Sequence, residues 1–270
     1  MLALTVDDQP SQDYADLVWE VFFASRGRGL HLTRHFPGLD RVLPGQWFTL
    51  AKVGDTVAGG LCVREAHGAT GRVGSLGLVC VAPSFRGQGI SAALLQRAIA
   101  EARKRGLAAL RLWTGKPGVY QGHGFVIADD ALYGWIKKPN ARQLDLAEAA
   151  TQKIWPDAEN STIGLPPFAR TGRRWQADGA DLIALEDGDG TIVAEWSGQV
   201  EAVARLMEQV LPEQARLNAL AQDGLPDALR QRGWQCSLAR SQLQMVLPLD
   251  GQYGSEQLAH RWTPRLLQRI

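Results

Sequence analysis

The chain's 270 residues are 45% hydrophobic and 21% charged, enough apolar material for one large domain or two of ordinary size, and unlike a disordered or fibrous chain. Lys and Arg total 29 against 28 Asp and Glu, a formal net charge of +1, so no global basic field is expected to hold nucleic acid or an anionic membrane. The opening run carries acids and a proline in place of a signal peptide's basic start and apolar stretch, and no segment approaches the roughly 20 apolar residues of a membrane helix. Cys62, Cys80 and Cys236 are widely separated, without zinc-ligand spacing or an even count for a disulfide framework. No metal is expected, and a reducing cytoplasm fits this cysteine usage.

Leu2 to Val6 reads as a strand, after which Ser11 caps a helix with Tyr14, Leu17, Val18, Val21 and Phe22 at helical spacing. Ser25 to Gly45 is irregular, with a short helix expected around Leu39. Trp47–Val53 and Val57–Glu65 form a hairpin around Gly54 and Asp55, and Ser75–Val81 adds a third strand to the meander. A loop from Ala82 to Gly89 leads into the clearest helix, which buries Leu94, Leu95, Ala98, Ile99 and Ala102 and stops at Gly106. Ala108–Thr114 is another strand and Pro117–Gly122 a turn or short helix. Phe125–Ile127 and Leu132–Lys138 are expected to close this half as a pair of strands.

A helix is expected around Leu144 to Trp155, then linker composition through Asn160, Ser161, Gly164, Pro166 and Pro167. Beyond it the order of elements repeats. Leu182–Glu186 and Thr191–Trp196 form a hairpin, followed by a helix carrying Val200, Val203, Ala204 and Met207, a strand Ala215–Leu220, a short helix Pro226–Arg232, and a final strand Gln242–Leu247. This order suggests a tandem duplication, divided into residues 1–138 and 139–270.

The chemistry concentrates in Val81-Ala82-Pro83-Ser84-Phe85-Arg86-Gly87-Gln88-Gly89-Ile90-Ser91, which joins a strand to the first turn of the best helix. Helix N-terminal amides lack internal partners and sit at the positive end of the dipole, so a glycine-bared loop there can cradle a phosphate or pyrophosphate, with Arg86 adding a charge-assisted contact. From the glycines alone, a tight turn with a surface arginine fits equally well. No GxxxxGK[ST] run exists. Gly87, Gly89 and Ala92 satisfy a loose dinucleotide fingerprint, but Pro83 to Arg86 loop out before the glycines and Leu107–Thr114 lacks the required acid.

With Val-x-Pro-x-x-Arg-Gly-x-Gly-Ile at 81–90, and Tyr120-Gln121-Gly122-His123-Gly124-Phe125 following in order, residues 2–138 resemble the GNAT N-acetyltransferase superfamily. The family's Arg/Gln-x-x-Gly-x-Gly/Ala signature falls on Arg86, Gly89 and Ser91, serine being the departure. The resemblance implies an α/β fold with a mixed sheet, in two tandem GNAT-like halves, and acetyl-CoA as cosubstrate. It further implies that backbone groups of Val79 and Val81 pair with the pantetheine arm, and that Arg86, Gly87, Gln88, Gly89, Ile90 and Ser91 hold the pyrophosphate. Tyr120 falls on the tyrosine that protonates the departing thiolate in many members.

Amine acetylation also needs a group that takes a proton from the acceptor. Ser75–Val81 holds no carboxylate, which leaves Glu65 as the candidate base, with His67 beside it; His123 reads as a surface residue and His31 and His35 as possible substrate contacts. In the second half only Ser197 and Gly198 are expected between strand and helix, and Leu229 stands where Tyr120 does, so that half reads as a degenerate copy. The expected function is acetyl transfer by direct attack onto a primary amine of a small molecule or peptide. The rival is a non-catalytic acyl-CoA-binding or regulatory module. Cys80 and Cys236 read as buried, inert thiols.

Overall fold

Ser11 begins the first helix of the computed structural model as the spacing predicts, its side chain accepting from the Tyr14 amide at 3.4 Å. The structure describes residues 1–26, 31–68, 71–139, 150–157, 161–251, 254, 257 and 266–269. In chain order the elements of the first part are β1 (Leu2–Asp7), α1 (Gln12–Phe22), α2 (Leu32–His35), β2 (Gln46–Val53), β3 (Thr56–Gly68), β4 (Gly71–Val81), α3 (Ile90–Lys104), β5 (Ala109–Trp113), α4 (Gly118–Gln121) and β6 (Val126–Ile127). There follow β7 (Ala131–Lys137), β8 (Thr151–Trp155), β9 (Thr171–Ala177), β10 (Ala180–Asp187), β11 (Gly190–Ser197), α5 (Val200–Val210), β12 (Gln214–Leu220), α6 (Leu225–Gln231), β13 (Gln235–Arg240) and β14 (Gln244–Pro248).

The strands make two seven-stranded mixed sheets, ordered β1-β2-β3-β4-β5-β14-β6 and β13-β7-β12-β11-β10-β9-β8. Each has its own compact unit, Met1–Asp129 with the segment that starts at Gln242, and Asp130–Ser241. The expected division after residue 138 therefore shifts, and the two halves trade their closing strands. β7, expected to close the first sheet, lies between β12 and β13 in the second. The final strand, expected in the second half, pairs as β14 with β5 and β6 of the first. The physical reason lies at Asp129, whose carboxylate accepts from the amides of Leu243 and Gln244 at 3.1 and 3.0 Å and so anchors β14 beside β5.

Three further expectations change. Residues 151–155 of the predicted 144–155 helix form strand β8, while 144–149 lie outside the described residues, as does Asn160. β9 and β13 are strands that the pattern did not announce: the buried positions of β9, Gly172 and Trp175, stand three apart, and β13 has no fully buried position. The short helix near Leu39 is a 3-10 turn at Pro37–Leu39, preceded by α2.

In the first unit, α3 lays Leu94, Leu95, Ala98 and Ala102 against Leu61, Val63, Leu76, Leu110 and Leu112. Those sheet residues occupy alternate strand positions, so Cys62, Arg64, Ser75 and Arg111 point to the opposite face. In the second unit α5 buries Val203, Ala204 and Met207 against Leu182, Val193 and Leu217.

Candidate functional site

β4 and β5 run parallel but pair only at Val73–Ala109, Gly74–Leu110 and Ser75–Arg111. From Leu76 onward β4 keeps β3 as its partner and has none on the β5 side, so the two strands open a cleft toward their carboxyl ends. β4 is also bulged: its register with β3 shifts between Gly60 and Cys62, and Leu78 takes a φ of 55°, which costs a non-glycine residue roughly 1–2 kcal/mol. The buried Tyr14 hydroxyl donates to the Leu78 carbonyl at 2.8 Å and holds this conformation. Gly60 makes room for it, since a Cβ there would lie 2.6 Å from the Tyr14 ring.

Beyond β4, Pro83–Phe85 form one 3-10 turn, and Gly87 and Gly89 take φ of 77° and 75° before α3 begins. These angles favour glycine, and nothing lies within 4 Å of a Cβ built at either position. The Ala93 amide is the first to find an α3-type acceptor, at Gly89, 3.1 Å away; the amides of Gly87 to Ala92 bond to no carbonyl among the described residues. The result is an open run of donors at the positive end of a 15-residue helix. Arg86 donates through Nε to the Val81 carbonyl at 3.2 Å, and Gln88 reaches the Ser84 carbonyl at 3.5 Å. Because the Ala82 amide bonds to Ala58 on β3, strand alternation turns the backbone groups of Val81 and Val79 toward the cleft. Val79, Val81, Arg86, Gly87, Gln88, Gly89, Ile90 and Ser91 thus converge at one end of the sheet.

Tyr120, on α4 just past the carboxyl end of β5, reaches that same end. Its ring meets Phe125 edge-on at 6.0 Å, and the Phe125 amide closes the turn onto the Tyr120 carbonyl at 3.4 Å. The hydroxyl has no hydrogen-bond partner among the described residues, and burial raises its pKa above tyrosine's usual value, keeping the proton on oxygen. The Cys80 thiol on β4 is pushed up to about 12 by burial, which makes it inert.

Glu65 is not brought to this end. It shares the α3 face, where Arg72 lies 3.1 Å and Arg105 3.8 Å from its carboxylate. Arg105 follows the C-terminus of α3, and a helix of this length spans roughly 22 Å, so Glu65 stands at the far end from the loop amides. It serves there as a partner of two arginines. His67 is exposed near the far end of the same hairpin, and His35 is buried against Phe23 with ring centroids 4.7 Å apart.

The second unit departs in the manner expected of its loop and helix. Gly198 and Gln199 alone separate β11 from α5, and Gly198 is required for packing, because a Cβ there would sit 2.5 Å from the Gly179 carbonyl. The Trp234 amide donates to the Leu229 carbonyl at 3.0 Å, repeating the Phe125–Tyr120 turn with a fully buried leucine in tyrosine's place.

A splayed, bulged β4 followed by a glycine-lined helix start is the arrangement that the motifs at 81–91 predict. Residues 12–125, all within the first unit, match the acetyltransferase (GNAT) family model. No curated protein shows a significant sequence match. Among solved structures, a GCN5-related N-acetyltransferase from Kribbella flavida aligns with a TM-score of 0.64 at 15% identity, over 92% of this chain and 72% of that one. Eis1 from Mycobacterium abscessus aligns at 0.59 and 16% identity, over 92% and 74%. A tandem GNAT protein from the clavulanic acid biosynthesis pathway aligns at 0.55 and 13%, over 94% and 100%. At these identities the likeness is one of fold, and it extends through both units: this is a tandem GNAT fold. No described helix is long and apolar enough to cross a membrane.

Proposed function

We propose that the first unit binds acetyl-CoA and transfers its acetyl group to a primary amine, and that the second unit binds no CoA. The observation that carries this reading is the run of unbonded amides from Gly87 to Ala92, opening beside the parted strands β4 and β5. The pyrophosphate would take those amides, and the pantetheine arm would lie along Val79 and Val81. Arg86 would leave the Val81 carbonyl for a phosphate oxygen, a stronger charge-assisted bond.

In the transfer the amine nitrogen attacks the thioester carbonyl carbon, the C–S bond breaks, and the sulfur takes the Tyr120 hydroxyl proton as it leaves. The products are the acetamide and CoA, with the amine's surplus proton released to solvent and Tyr120 reprotonated from it. The engagement of Glu65 by Arg72 and Arg105 favours a second reading, an acyl-CoA-binding module without turnover.

Calorimetric titration with acetyl-CoA tests the first step. One ligand per chain is expected, with binding lost in Arg86→Glu and in Gly89→Trp while circular dichroism stays unchanged. Two ligands per chain, or half of them surviving Arg86→Glu, would overturn the division between the units. Release of CoA thiol in the presence of amines then separates transfer from binding alone.

A further inference from the structure

On the sheet face away from α3, Gln46 pairs in register with Arg64, Arg64 with Ser75, and Ser75 with Arg111. These four side chains form one row across β2, β3, β4 and β5. Neighbouring strands lie about 4.8 Å apart, so the two arginines flank Ser75 with their Cα atoms roughly 10 Å from each other. The Ser75–Arg111 pair is also the last before β4 and β5 part, which places the row at the apex of the cleft.

Ser75 accepts from Arg111 Nε at 2.9 Å. Arg64 reaches Gln46 Oε1 at 3.3 Å through Nη2, and Gln46 is itself held by the Gly38 carbonyl at 2.6 Å. Arg64 Nε is buried without an acceptor, and no carboxylate pairs with this guanidinium among the described residues. A little further along the same face, Arg111 and Arg269 both lie over the Trp113 ring, at 5.7 and 5.4 Å. Burial pushes Arg269 down to about 10, opposed by Asp129, the nearby acid, whose carboxylate accepts the Leu243 and Gln244 amides. Burial pushes Arg111 down to about 10, with Arg269 adding to the effect.

Desolvating a guanidinium without an anionic partner is costly. In the second unit the sheet arginine, Arg216, also has a buried Nε without an acceptor, but its guanidinium pairs with the Asp187 carboxylate. Arg64 has no such acid among the described residues; it is half-buried with its Nε enclosed, while Ser75 and Arg111 are buried.

We propose that the acceptor amine carries an anionic group, a carboxylate or a phosphate, which seats at Ser75 between Arg64 and Arg111. The inference rests on the acetyl-transfer reading, since it makes this face the acceptor side of the cleft. The anion pairs with the Arg64 guanidinium and leaves the amine at the apex, where the thioester carbonyl would lie.

The test uses the full chain saturated with CoA. Calorimetric titrations with glutarate and with inorganic phosphate are compared with neutral glutaramide; at least one anion is expected to bind and glutaramide is not. Arg64→Gln should weaken that anion by about 10- to 100-fold, the worth of one charge-assisted hydrogen bond. Ser75→Ala, which alters little volume, should weaken it as well. With acetyl-CoA, 4-aminobutanoate and O-phosphoethanolamine are set against 4-aminobutanamide and ethanolamine, and the preferred anionic member tells carboxylate from phosphate. CoA binding with no preference for anions, or a preference untouched by Arg64→Gln, would overturn the inference alone. Failure of CoA to bind would instead overturn the reading beneath it.

Discussion

The Tyr14 hydroxyl, wholly buried under α1, donates to the main-chain carbonyl of Leu78 at 2.8 Å and so ties the first helix to the bulge of β4. That bulge puts Leu78 at positive φ, and the strand continues beyond it to the cleft-facing groups of Val79 and Val81. Tyr14→Phe keeps the ring that fills the space above Gly60 but strands the carbonyl. It is expected to cost about 1–3 kcal/mol in urea unfolding, the penalty for a buried polar group left without its partner. Because the lost bond is the one that holds the bulge, acetyl-CoA affinity should fall as well. Unchanged affinity in a destabilised variant would confine Tyr14 to the core.

Tyr120 offers the opposite case. Its hydroxyl bonds to nothing among the described residues, so Tyr120→Phe should leave the unfolding midpoint near wild type. In the proposed transfer the hydroxyl is the proton donor to the leaving sulfur, so it would contribute to kcat and little to cosubstrate binding. Removal should lower kcat by about 10²- to 10⁴-fold with the KM for acetyl-CoA almost constant. Wild-type turnover would make the tyrosine a packing residue beside Phe125.

Burial pushes the thiols of Cys62 and Cys80 up to about 12, against an ordinary value of 9.0. Both stay protonated in the folded chain while their unfolded counterparts ionise near pH 9, so stability is full below pH 9 and declines as pH rises toward 12. Arg111 and Arg269, pushed down to about 10, act in the reverse sense above pH 10. The comparison therefore belongs between pH 8 and 10, where each thiol should cost about 1 kcal/mol by pH 10. Urea midpoints should fall across that range, and less steeply in Cys62→Ala or Cys80→Ala. Equal slopes in wild type and variants would show that the thiols do not carry the effect.

The elements near the glycine-lined loop were legible because their signals are local. Two glycines ahead of an apolar 3.6-residue repeat specify both the left-handed turns at Gly87 and Gly89 and the start of α3, and the short junction after β11 is as plain in sequence as in structure. What failed was nonlocal. The strand character of 244–248 is readable, but any unpaired edge could take an apolar strand, and the choice of β5 depends on Asp129 meeting two amides more than a hundred residues away. Glu65 looked available because nothing nearby in sequence reveals Arg105 closing on it from the end of α3. The arginine row had a signal that went unread: Arg64 and Arg111 interrupt otherwise apolar strands at positions alternate to the core residues Val63, Leu110 and Leu112. Tyr14 read only as a core ring, since its hydroxyl acquires a task only once β4 is known to bulge.

The traded strands make the chain's two halves unequal when cut. A chain ending at residue 160 keeps every residue of the glycine-lined loop, yet it loses β14, which lies between β5 and β6 in the first sheet. With it go Met245 and Leu247, both buried against the α3 core, each worth roughly 1.5–3 kcal/mol of burial. The ladder to β5 and the Thr114 amide's bond to the Leu243 carbonyl at 2.9 Å go too. Against a usual domain stability of about 5–15 kcal/mol, that loss approaches the whole margin. β5 would also become an open apolar edge, the kind that recruits other chains. The truncated chain is therefore expected to aggregate or to unfold without a cooperative transition. Fusing 242–251 back to 1–129 through a flexible linker should restore a sharp melting transition and one acetyl-CoA site per chain. A soluble, cooperatively folded 1–160 fragment would show that β14 is dispensable to the first sheet.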